Sequence, residues 1–119
     1  MIGRWIAAAA MALAATGVMA QGKEMKIGVV YDLTGPLAAG GSYAGYLGTK
    51  YAIDMINERG GVEGVKIKPI YADAQSKPDV AINETTRLLE QEKVDMIMGV
   101  FSSAHCVPMA QKDRKSTRL

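Results

Sequence analysis

One cysteine and one histidine stand in 119 residues, and they are neighbours, His105 and Cys106. A lone cysteine closes no intramolecular disulfide, so Cys106 is either a small packed residue or a thiol without a partner in this sequence. With no second His or Cys, a zinc-type site built on this pair lacks its remaining ligands. Serine nucleophile chemistry fares no better. Ser102 and Ser103 precede His105 by three and two residues, a spacing on a tight turn that does not place a hydroxyl on the imidazole. No Gly-x-Ser-x-Gly elbow is present either. Phosphate-cradling motifs are missing too. GGSYAG, residues 40–45, is glycine-rich after an apolar run but matches neither the dinucleotide fingerprint nor the P-loop. These absences argue against an enzyme, a metal centre and a bound cofactor, and leave non-covalent binding.

Charge of one sign is also scarce. The formal net charge of +2 belongs to the ends. Residues 21–111 hold 9 Lys and Arg against 11 Asp and Glu, a net of −2. No basic face for nucleic acid is expected. The one long apolar stretch is at the start. Residues 1–20, MIGRWIAAAAMALAATGVMA, set Arg4 before an alanine-rich run and close on small residues, the layout of a cleaved secretory signal rather than a retained anchor. Residues 112–119, KDRKSTRL, lose the apolar periodicity. They read as a non-native or truncated tail, with a genuine basic extension as the other reading. The domain is therefore expected over residues 21–111.

Within it, residues 25–31, MKIGVVY, form a β-branched run suited to a strand buried on both faces. A turn-rich stretch follows, with Ser42 placed as a helix N-cap. Ala44, Leu47, Gly48, Tyr51, Ala52, Met55 and Ile56 then recur at steps of three and four, predicting one helix face that ends at Gly60-Gly61. Residues 65–72, VKIKPIYA, predict a strand whose Pro69 makes it an edge strand or one with an irregular middle. Ser76-Lys77-Pro78-Asp79 has capping-box spacing, and Ala81, Ile82, Thr85, Leu88 and Leu89 line a second helix to about Glu92. Residues 94–100, VDMIMGV, read as a third strand, and FSSAHCVPMA as a turn opening a third helix. Alternating strands and helices of this length imply an α/β fold, a layered sandwich on a parallel sheet.

Ligands in such sheets collect beyond the carboxyl ends of the strands. Two turns fall there, residues 32–42 and residues 101–106. A receiver domain, which has the same element order, would place an aspartate after the third strand, where this sequence has Phe101-Ser102. In the second turn, Ser102 and Ser103 supply hydroxyls, and the first N–H groups of the third helix supply donors at the positive end of its dipole, an arrangement suited to a carboxylate. Ser103 could equally serve as that helix's N-cap, and the two roles are compatible.

KIGVVYDLTGPLAAGG, AIDMINERGGVEGVKI, YADAQSKPDVAINETTRLLEQEKVDMIMG and FSSAHCVPMA, in this order, resemble the start of the periplasmic substrate-binding proteins of branched-chain amino acid ABC transporters, the leucine-binding-like type I family. The resemblance spans residues 26–110 and implies part of the first of two lobes that close on a solute. It implies a periplasmic protein that hands an amino acid, or a related small carboxylate or amide, to an inner-membrane ABC permease. The same fold also serves as the sensing ectodomain of signalling receptors, which stands as the alternative. By position it makes Ser103 the contact to the ligand carboxylate, with Ser102 and Ala104 beside it. Gly40 falls where amino-acid binders of the family present an aromatic, a departure that leaves the ligand's identity open, and Tyr43 stands three residues on as a candidate substitute. Gln75 and Ser102 occupy the places of a disulfide found in some members.

Overall fold

The computed structural model describes residues 22–116. Three parallel strands, β1 (Glu24–Tyr31), β2 (Lys66–Asp73) and β3 (Met96–Gly99), form one sheet in the order β2-β1-β3. β1 pairs with β2 from Glu24 opposite Lys66 to Tyr31 opposite Asp73, and with β3 from Ile27 opposite Met96 to Val30 opposite Gly99. Its central place explains the β-branched residues Ile27, Val29 and Val30, because neither face of β1 meets water from Ile27 to Val30. Pro69 lies in β2, an outer strand of this sheet, as a residue without an N–H donor requires.

The helices α1 (Tyr43–Glu58), α2 (Pro78–Glu90) and α3 (Ser103–Ser116) cover both faces. Ile27 and Val29 pack with Ile53 of α1 and Ile67 of β2 on one side. Val30 and Ala72 pack with Ala81 and Leu88 of α2 and Met109 of α3 on the other. The period-two alternation of β1 thus divides its side chains between two cores. α1 ends on paired hydrogen bonds, Gly61 N–H to the Ile56 carbonyl and Gly60 N–H to the Asn57 carbonyl, the closure the Gly-Gly pair predicts. Asn57 then fastens this end to β2. Its Nδ2 donates to the Ile67 carbonyl at 2.7 Å, and its Oδ1 accepts the Ile67 N–H at 2.8 Å.

Three local expectations are corrected. The face of α1 that meets the sheet runs through Thr49, Ile53 and Ile56, whereas Tyr51 and Met55 are 65 % and 49 % exposed. Apolar residues occur nearly all round α1, so spacing alone did not single out the buried stripe. Ser42 stands at the N-cap position of α1, as expected, but makes no capping bond: a π-helical turn at Ala38–Ser42, kinked at Gly41, leads into α1, and Ser42 itself has helical backbone angles. Ser76 does not cap α2 either, since the N-cap position is Lys77 with no side-chain bond. Both serines instead hold loops together at the carboxyl edge of the sheet. No helix among the described residues is long and apolar enough to cross a membrane. The leader assigned to residues 1–20, and residues 117–119 of the tail, lie outside the described residues. Residues 112–116 of that tail continue α3.

Candidate functional site

β1 and β2 each end beside an aspartate that gathers the N–H groups of the following loops. Asp73 Oδ1 accepts from the N–H groups of Leu33, Thr34 and Gln75, and Oδ2 accepts from Thr34 Oγ1 at 2.7 Å. Partial burial works to raise the Asp73 pKa, but these four donors outweigh it and hold the carboxyl below its ordinary value. Asp32 is fully buried. Its N–H donates to Ser42 Oγ at 2.8 Å, and its Oδ1 accepts the Ser76 N–H at 2.8 Å. Ser76 Oγ in turn accepts from the Leu37 N–H and donates to the Thr34 carbonyl. The loop after β1 is therefore tied to the β2–α2 loop at several points along its length.

The turn after β3 is shaped by two left-handed residues, Gly99 at φ 111° and Val100 at φ 76°. A Cβ on Gly99 would fall 2.3 Å from the Val30 carbonyl oxygen, so only glycine fits against β1 there. Val100 is a β-branched residue at positive φ, a strained conformation. Its N–H donates to the same Val30 carbonyl at 2.7 Å. Phe101 then points outward, and its ring packs over Gly40 and Gly41 from the loop after β1.

Ser102, not Ser103, caps α3. Its Oγ accepts the Ala104 N–H at 3.3 Å, and its carbonyl accepts the N–H groups of His105 and Cys106. This leaves Ser103 as the first residue of α3, exposed with Ala104, its hydroxyl and N–H outside the helical ladder. Among the predicted site residues, Ser102, Ser103 and Ala104 share one turn, and Gly40 meets that turn through Phe101. Tyr43 is half exposed and turns its ring onto Tyr46, 5.7 Å between centroids, which meets Tyr71 edge-on at 5.3 Å. It also borders an open cavity of about 400 Å³ lined by Ala38, Ala39, Gly41, Ala44 and Leu47. The structure places it on the rim beside Gly41.

Cys106 is exposed. His105 is 2 % exposed, with Nδ1 3.5 Å from Asp32 Oδ1. Asp32, Ser42, Asp73 and Ser76 were not recognised as site-forming residues from sequence. The available signal was that both strands run into an aspartate just before a turn, the residue type that collects loop N–H groups. No cluster of three metal-binding side chains occurs among the described residues.

A doubly covered parallel sheet, with a serine turn and a helix N-terminus exposed on its carboxyl edge, defines a ligand-binding type of α/β lobe. The chain belongs to the periplasmic binding protein family, whose sequence profile matches residues 24–117. It is 39 % identical over 88 residues to Leu/Ile/Val-binding protein homolog 7 of Brucella suis biovar 1, covering 74 % of this chain and 22 % of that protein. It is 31 % identical over 104 residues to an amino acid binding protein of Pseudomonas aeruginosa, covering 85 % of this chain and 28 % of that protein. The fold superposes with a TM-score of 0.75, at 32 % identity, on the branched-chain amino acid transporter substrate binding protein LivJ of Streptococcus pneumoniae, solved in complex with isoleucine. That match covers 79 % of this chain and 27 % of that one. The chain thus spans about a quarter of the length of these relatives.

Proposed function

We propose that this chain forms part of the first lobe of a periplasmic solute receptor that delivers an amino acid, or a related small carboxylate or amide, to an ABC permease. The receptor binds its ligand without covalent chemistry. The observation that carries this reading is the exposed pair Ser103 and Ala104 at the start of α3, standing beside the Gly40-Gly41 loop across the Phe101 ring. Hydroxyl and N–H donors at the positive end of a helix suit a carboxylate, and Gly41 with Tyr43 borders the space for the remainder of the ligand, next to Gly40. A second lobe, contributed by sequence outside this chain, closes over the ligand and presents the closed form to the permease. The kinship with Leu/Ile/Val-binding homologues and with an isoleucine-bound structure supports a small aliphatic amino acid as the first ligand to try.

Isothermal titration of the full-length protein with L-leucine and L-isoleucine tests it. Binding is expected, and Ser103→Ala should weaken it by about 1–3 kcal/mol, the cost of leaving a charged acceptor without a donor. Unaltered affinity in that variant would remove Ser103 from the site.

A further inference from the structure

We infer that Asp32 and His105 form a buried latch that positions the serine turn for ligand, making His105 a positioning residue for binding. The inference rests on the proposed function above. α3 is lightly held at its start. Phe101, Ser103, Ala104, Cys106 and Val107 are all exposed, and the side chains α3 buries are His105 and, one turn on, Met109. Met109 joins the α2 core, whereas His105 meets the end of β1 through Asp32. His105 is thus the buried anchor of the turn that carries Ser103 and Ala104.

The anchor works against strain. Val100 at positive φ persists only where its surroundings over-determine the backbone. On one side the turn is held by the Val100 N–H bond to Val30, and on the other by His105. Asp32 is itself fixed, by Ser42 Oγ at its N–H and by the Ser76 N–H at Oδ1, the same oxygen that faces His105 Nδ1. Asp32 therefore holds Ser42 of the loop after β1 through its N–H and the β2–α2 loop through Oδ1, and that same oxygen faces the first turn of α3 at 3.5 Å. Ser103 stands two residues before His105 on the opposite, exposed side, so a shift of the imidazole moves the ligand donors directly. Preorganised donors bind better than donors that must be ordered on binding.

The test is titration of the full-length protein with L-isoleucine and L-leucine, comparing wild type with His105→Leu, His105→Asn and Asp32→Asn, each checked for cooperative unfolding. His105→Leu keeps the bulk and removes the imidazole nitrogen that faces Asp32, and is expected to weaken binding about tenfold. His105→Asn keeps a nitrogen donor near the Nδ1 position and is expected to stay within about threefold of wild type. Asp32→Asn and His105→Leu together should lose no more than the larger single loss, as for two halves of one contact. Wild-type affinity in a folded His105→Leu, no rescue by His105→Asn, or additive losses in the double variant would each overturn the latch. Where His105→Leu does not fold, the same cycle is run with His105→Phe, which also lacks the ring nitrogens, and Asp32→Asn, and additivity there overturns it. Wild-type protein that binds neither amino acid, nor any of a panel of other amino acids, small carboxylates and amides, overturns the functional reading itself, and the latch with it.

Discussion

The ring of Phe101, from the turn after β3, lies over Gly41, from the loop after β1. A Cβ on Gly41 would stand 3.0 Å from the ring's Cε2. Gly41 also has φ 133°, a conformation other residues avoid. Gly41→Ala should therefore cost roughly 1–3 kcal/mol of stability from backbone strain and push Phe101 off the loop. The urea midpoint would report the first effect. Loss of order at Phe101, read by NMR, would report the second.

Asp73 is the pH-sensitive brace of the loop after β1. Its native pKa lies below the ordinary carboxylate value, so the unfolded state binds the proton more readily than the native state does. The stabilisation is fully present above the ordinary value of about 3.9 and is lost as the pH falls through the lower native value. Asp73→Asn should be less stable than wild type at neutral pH, and the gap should close under acid conditions. A gap independent of pH, measured by urea unfolding across that range, would contradict the account.

Ser102 and Ser103 are adjacent yet should separate cleanly. Ser102→Ala removes the α3 cap and should lower stability by about 1 kcal/mol, the usual worth of such a cap. Ser103→Ala lies outside the cap, so its stability should stay near wild type while its ligand affinity falls. Thermal unfolding beside calorimetric titration distinguishes the two, and equal effects on both properties would erase the distinction.

Leu88 is fully buried against the sheet face that α2 covers. Leu88→Ala should destabilise by about 2–5 kcal/mol, depending on how far the core closes around the gap. Guanidinium unfolding measures it.

Much of the fold was legible because it rests on short-range rules. The β-branched run of β1, the proline that marks β2 as an outer strand, the Gly60-Gly61 stop and the Ala81–Thr85–Leu88 face each express one local constraint. The α1 stripe was not legible, because Ala, Tyr, Leu, Met and Ile surround that helix and its packing partner chooses among them. Ile53 is buried while Met55 is not, since the sheet lies on the Ile53 side.

The candidate site divides the same way. Sequence alone determined that two turns, at residues 32–42 and 101–106, follow the carboxyl ends of parallel strands and that serines open α3, because element order and chain direction carry that information. Only the tertiary structure decided which serine caps and which stays exposed, and that Ser42 and Ser76 serve loops rather than helix ends. It alone joined Asp32 to His105, 73 residues apart in the chain. A hydroxyl or carboxylate bonds to whichever donor the fold brings near, and contacts over such separations depend on strand register and helix packing, which no local pattern encodes.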